Sequence, residues 1–417
     1  MRISLNTHNL APRLAFGLLW LFVFSNPWER LLIASGATYN HLIGIVALVI
    51  TVLLVMARRR LRPWRRAHWF MVAFLGWATL SLFWTPDFPM SLAVVVIYLQ
   101  LGAQAWLLWE LAPTEEAQTS LLVAYVLGTA VSALAILSTV RAGLTTTQLY
   151  GGERYAMGGT DPNELGLTLA LSLPMSWYLL TRRHAGRRPW WTAGYLGLFF
   201  LALVGVLLTA SRGAVLATLA ALLIVPLSLS RLSPGRRLAL VLGLLGVACA
   251  VRFLVPQGPW QRLVTTYTSV REMQLSGREE IWPLGIQMFW EHPFFGVGTG
   301  AFAAAIEEIY YRAVLAHNTF LSILVENGLV GFALFTGLMI ALVSRLRRLP
   351  VARRNLWAVL LLTWAIGVFG LTWLARKPTW LLFGLLAAQA TPARREAPAA
   401  AGELAPPASE TAAGEQP

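Results

Sequence analysis

Residues 276–331 read SGREEIWPLGIQMFWEHPFFGVGTGAFAAAIEEIYYRAVLAHNTFLSILVENGLVG. Ser276 and Glu279 match the S-x-x-E capping box that starts a helix. Pro283 falls in the first turns, where proline is tolerated best. Trp282, Ile286 and Phe289 recur at i, i+4 and i+7 and predict one apolar face. Pro293 and the turn Gly296-Val297-Gly298-Thr299-Gly300 stop the pattern. A helix of about three to four turns is therefore expected, lying against a helical bundle or in a membrane interface. It carries Arg278 at its N-terminal end, and His317-Asn318 then precede an apolar run that opens at Phe320.

Around this polar stretch nearly everything is apolar. The chain has 417 residues, of which 57% are hydrophobic and 12% charged, with mean hydropathy +0.62. Soluble domains carry about 25% charged residues, so lipid is the expected solvent. Apolar runs long enough to serve as spans fall at residues 14–27, 41–56, 69–84, 91–111, 119–140, 164–180, 190–208, 213–229, 238–255, 320–343, 356–375 and 379–390. The expected fold is thus an all-α polytopic membrane protein with about twelve transmembrane helices. It forms a single domain over residues 1–390 with a partly helical outer loop at 252–316. Residues 391–417 are rich in Ala, Pro and Glu and are expected to be a disordered tail. No cleavable leader is expected, because the first apolar run lacks a small-residue cleavage site.

The net charge of +14 does not predict a nucleic-acid partner. The arginines gather in short connections: RRRLRPWRR (58–66), TRRHAGRR (181–188), RLSPGRR (231–237) and RLRRLPVARR (345–354). Twelve spans place all four on one side, which the positive-inside rule makes cytoplasmic together with both termini. One connection in that set, residues 110–118, carries Glu110, Glu115 and Glu116 instead. The other side, periplasmic in a bacterium, collects residues 141–163, 209–212, 252–316 and 376–377.

That side holds the candidate chemistry. His317 is the one of six histidines at an outer helix entrance. A neutral imidazole there can take a proton from an attacking hydroxyl; on spacing alone a capping or surface histidine fits as well. Arg212 stands between two spans and reads either as a snorkelling arginine or as an anion ligand whose guanidinium fork matches phosphate oxygens. Arg154 lies in the Gly-rich GGERYAMGGTDPNE (151–164), whose Asp161-Pro162-Asn163 is also a helix-start signal. Arg262, Arg271 and Arg312 are weaker candidates.

Missing motifs narrow the field. Asp87 and Asp161 are the only aspartates, so no D-x-D metal motif exists. There is no Walker A loop, H-E-x-x-H or G-x-S-x-G. Cys249 is the only cysteine, which rules out an intramolecular disulfide and a Cys-based zinc site. No carboxylates are expected along the spans in the manner of a proton-coupled transporter. An anionic donor held by arginines, with one histidine base and neither metal nor cofactor, is the chemistry best supported.

Three pieces of the chain resemble the O-antigen ligase/polymerase family of bacterial membrane glycosyltransferases. They are Arg154 with Asp161-Pro162-Asn163, the LTASRG of 208–213, and the GREEIW, HPFFGVG, HNTFL and ENGLVG segments between 277 and 331. The resemblance implies a lipid-linked-donor (GT-C-like) glycosyltransferase of the inner membrane. Its donor would be an undecaprenyl-diphosphate-linked glycan, and its acceptor lipid A-core or a growing glycan. His317 matches the family's essential histidine, Arg212 and Arg278 match arginines on the donor diphosphate, and Arg154 follows less closely. The implied reaction is metal-independent and inverting. Ligation of O-antigen in lipopolysaccharide biosynthesis fits this length best. A polymerase of the same family is the near alternative, and a lipid-linked glycan flippase the alternative from another class.

Overall fold

Long apolar runs with few breakers satisfy their own backbone hydrogen bonds as helices, which is what a bilayer demands. The computed structural model describes residues 10–32, 39–144, 154–182, 189–264 and 277–389, and every regular element among them is helical. In chain order these are α1 (Leu10–Ser25), α2 (Tyr39–Arg58), α3 (Arg66–Leu80), α4 (Phe88–Leu111), α5 (Glu115–Arg141), α6 (Pro162–Thr181), α7 (Pro189–Leu208) and α8 (Arg212–Leu222). There follow α9 (Pro234–Leu254), α10 (Gln257–Val264), α11 (Arg278–Glu291), α12 (Phe302–Tyr310), α13 (Thr319–Leu346), α14 (Val351–Val368) and α15 (Lys377–Ala388). The expected tail at 391–417 lies outside the described residues.

Each apolar run coincides with a helix, but length and composition qualify only 8 segments among the described residues as candidate membrane spans. These are α1 with its following turn, α2, α4, α5, α7, α8 with its 3-10 continuation to Ser230, α13 and α14. The protein is a multi-pass membrane protein on that basis. α3 (15 residues) and α15 (12 residues) are too short to qualify. α9 contributes only the shorter apolar piece Arg237–Gly246. α6 has the length but carries Thr168, Ser172 and Ser176 along it. Every residue from Leu165 to Leu180 is buried, so protein rather than lipid is its surround. It packs against α5, α7, α8 and α14.

Within residues 252–316 the described residues form α10, α11 and α12, where the sequence announced one helix. α11 begins on Gly277, a left-handed cap at φ 85°, whereas Ser276 lies outside the described residues. Its buried face is Ile281, Gly285, Met288 and Phe289, one residue away from the expected Trp282–Ile286–Phe289 stripe, and Ile286 is exposed. Gly285 explains the shift. A Cβ there would sit 3.1 Å from Leu321 and 3.3 Å from Phe302, so the missing side chain is what lets α11 approach α13 and α12.

α13 is broken near its first third. Gly328 adopts φ 62°, ψ −166°, and the freed backbone is taken up by the loop after α11. Leu329 and Val330 N–H donate to the Pro293 and Phe294 carbonyls (2.8 and 3.2 Å), while Val297 and Gly298 N–H donate to those of Val325 and Glu326 (3.0 and 2.9 Å). Glu326 corrects the expectation that carboxylates would be absent from the spans. It is buried, and its carboxylate accepts from Gly300 N–H (2.8 Å) and Ser322 Oγ (2.9 Å). Those bonds give it a structural role in locking the loop to the helix break.

The acidic 110–118 connection belongs with the arginine clusters. Glu115 pairs with Arg182 at 3.0 Å and also with Arg353, and Glu110 accepts from Arg62 N–H at 3.3 Å. Glu110 and Glu115 thus offset charge from three basic clusters, through Arg62, Arg182 and Arg353.

Candidate functional site

The site forms where α6, α8, α11 and α13 begin. Asp161 caps α6, accepting from Asn163 and Glu164 N–H at 2.7 and 3.3 Å. Ser211 caps α8, accepting from Ala214 N–H at 3.2 Å after a tight turn in which Ala210 is left-handed. Asn318 caps α13, accepting from Phe320 and Leu321 N–H at 3.0 and 3.1 Å. Each cap satisfies end donors of its helix and fixes the neighbouring side chains in place.

Asn163 joins the first two loops. Its Oδ1 accepts from the Arg154 guanidinium at 2.7 Å and from Ser211 Oγ at 2.8 Å. Arg154 is buried, and its Nε donates to the Thr209 carbonyl at 3.2 Å, while Tyr155 N–H donates to that of Leu208 at 3.2 Å. The 154–156 segment is thereby pinned to the turn that presents Arg212.

Arg278 is the first residue of α11 and donates to the Gly370 carbonyl at 2.8 Å, just beyond the C-terminal end of α14. One turn on, Trp282 Nε1 donates to the Ala316 carbonyl at 3.0 Å, and its ring meets Phe369 edge-on at 5.6 Å. Positions i and i+4 share a helix face, so α11 aligns Arg278 with the residue before His317. His317 is half-buried and left-handed at φ 46°. A non-glycine residue in that region is uncommon, and the anchored neighbours hold it there. Thr319 Oγ1 extends the anchorage, donating to the Leu371 carbonyl at 2.6 Å and accepting from Trp373 N–H at 2.9 Å.

Electrostatics ties these groups together. Burial pushes Arg154 down to about 10, aided by the charges of Arg262, Arg278 and Arg212 and opposed by Asp161. Burial and the charge of Arg212 lower Arg262. Arg278 is lowered by burial, against Asp161 and Glu279. Burial, then the Arg278 charge, hold His317 below its ordinary value of 6.5, with Asp161 opposing. The arginines thus crowd one another at a half-buried boundary. Such an excess of positive charge is relieved by an anion, and the neighbouring imidazole is biased to its neutral, proton-accepting form.

The expected site residues Arg154, Arg212, Arg278 and His317 therefore fall in one electrostatic neighbourhood, and Arg262 joins them. Arg312 is exposed and acts on Tyr310 instead, and Arg271 lies outside the described residues. In the sequence Asp161 and Asn163 read as a helix start and as part of the motif resemblance, with no role in the site assigned to either. Their placement beside the arginines depends on α6 and α8 packing together, which no local pattern encodes.

Fold and site define a class: a multi-pass helical membrane protein with a cationic site at helix entrances. Residues 197–336 match the family model Wzy_C, described as O-antigen ligase. That segment carries Arg212, Arg262, Arg278 and His317, and it supports the O-antigen ligase family for this chain, in agreement with the motif resemblance. The family implies a glycosyltransferase-like enzyme of ligation or polymerisation, with lipid-linked glycan substrates in a membrane. No curated protein matched the chain in sequence.

Proposed function

We propose that this protein transfers a glycan from undecaprenyl diphosphate to an acceptor hydroxyl at the periplasmic face of a bacterial inner membrane, ligating O-antigen to lipid A-core. The supporting observation is the clustering of Arg154, Arg212, Arg262 and Arg278 beside a histidine biased to its neutral form. In the proposed reaction the acceptor oxygen attacks the anomeric carbon and its proton passes to His317 as general base. The bond from that carbon to the diphosphate oxygen breaks with inversion, and the lipid diphosphate leaves with the electron pair. Arg212, Arg278 and Arg154 stabilise the charge developing on it, a role in which pre-aimed cations need no metal. On this reading both termini lie in the cytoplasm, on the side to which the positive-inside rule assigns the arginine clusters.

Polymerisation of repeat units is the related reading, and flipping of the lipid-linked glycan the reading from another class. Transporters place broken helices around a mid-membrane site. The break in α13 is instead filled by backbone from residues 293–298, which favours the enzyme.

Lipopolysaccharide from a deletion strain separates ligase from polymerase, and a translocation assay on purified protein tests the flippase. Loss of every glycan-bearing band, with lipid-linked polymer accumulating, is the outcome expected. Single-unit products would indicate a polymerase, and glycan translocation by purified protein without covalent transfer a flippase. His317→Ala, present at normal levels, should fail to restore the bands; full restoration would remove the histidine from the mechanism.

A further inference from the structure

Three of the helices that present the cationic site also shape a second cavity at their other ends. α6 starts beside Arg154, α8 starts with Arg212, and the segment after α14 accepts from Arg278. Thr181 at the end of α6, Ile224 and Ser228 beyond α8, and Ala352 and Arg353 in the first turn of α14 line a cavity of about 850 Å³. α6 has 20 residues, or about 30 Å of helix, which equals the thickness of a bilayer's hydrocarbon core. The cavity therefore lies at the opposite membrane boundary, outside the chemistry proposed above and independent of it.

Its chemistry is mixed in a particular way. One wall is Trp177, fixed by donation from its Nε1 to Ser228 Oγ at 2.6 Å, together with Tyr178. The polar part is Arg182 and Arg353, both mostly buried and both paired with Glu115. Two guanidiniums and one carboxylate leave one positive charge, which one phosphodiester neutralises. Beside the lining residues Ile224 and Ser228, Leu223 and Leu227 are 46% and 51% exposed, so the cavity borders a lipid-facing surface. A soluble anion has no use for that apolar border, whereas acyl chains do.

We infer that this cavity is a binding site for an anionic phospholipid, with Arg182 and Arg353 on the headgroup phosphate and the acyl chains along Leu223 and Leu227. Basic pockets between membrane helices suit such headgroups. Occupancy would clamp the ends of α6, α8 and α14.

The test uses the full chain in neutral detergent, titrated with phosphatidylglycerol, phosphatidylcholine or inorganic phosphate. Bound lipid is read by native mass spectrometry and stability by thermal unfolding. Phosphatidylglycerol should stay bound and raise the unfolding temperature, and phosphatidylcholine should do neither. Arg182→Gln and Arg353→Gln should each weaken binding by about fivefold, and Arg278→Gln should leave it unchanged. Glu115→Gln removes the competing charge and should tighten it. Equal retention of the two lipids, or undiminished binding by both arginine variants, would overturn the proposal. An equal stabilisation by millimolar phosphate alone would also overturn it, in favour of a soluble anion. Should the arginine variants fail to fold, weaker binding by Glu115→Gln overturns it.

Discussion

Trp282 donates its indole N–H to the carbonyl of Ala316 at 3.0 Å, and that bond sets the distance between α11 and His317. Arg278, one turn earlier on α11, is fixed in turn by the Gly370 carbonyl at 2.8 Å. The arginine and the segment before the histidine are thus both anchored through α11 by bonds to backbone.

Trp282→Phe keeps the ring and removes the bond. A stability loss of about 1 kcal/mol is expected. Glycan transfer should fall further, by up to about a hundredfold, because a small misplacement of a catalytic group is costly. Thermal unfolding and transfer rates measured on the same preparation test this, and a rate unchanged from wild type would make Trp282 structural only.

The pH profile carries a sign. His317 acts when neutral, so transfer should decline as pH falls through its lowered pKa. Arg278→Gln removes a charge that lowers that pKa, so the acid limb should move to higher pH. Asp161→Asn removes the charge that raises it, so the limb should move to lower pH, while asparagine still serves as an N-cap. Limb midpoints in reconstituted vesicles are the readout. Shifts in the same direction for both variants would exclude His317 as the titrating group.

Asn163→Ala frees two side chains at once, since Arg154 and Ser211 share its Oδ1. Losing a charge-assisted bond of about 1.5 kcal/mol or more should raise the donor concentration for half-maximal rate by about tenfold. An unchanged donor dependence would detach Arg154 from donor binding.

Gly328→Ala should destabilise the protein by about 3 kcal/mol or more. Its φ of 62° disfavours a side chain, and a Cβ would lie 2.3 Å from the Phe294 carbonyl oxygen. A wild-type unfolding temperature would show that the helix break can relax without cost.

The sequence by itself determined the elements. Apolar runs of bilayer length have no alternative to helix in lipid, and Asp161, Ser211 and Asn318 announce helix starts through their own short side chains. The motif residues Arg212, Arg278 and His317 were legible as candidates for the same local reason, each standing at a helix entrance. Burial faces and partners were not. α11 turned by one residue because Gly285 offers no side chain to count, and α6 is surrounded by protein rather than lipid, which its apolar run does not announce. The break in α13 appears only where residues 293–298 meet residues 325–330. Above all, the company of the arginines was decided by tertiary structure. The charges of Arg212, Arg262 and Arg278 lower Arg154, that of Arg212 lowers Arg262, and Arg278 and Asp161 bias His317 in opposite directions, because packing brings them within electrostatic reach. Coulomb interaction depends on distance in space and on burial, and spacing along a chain reports neither.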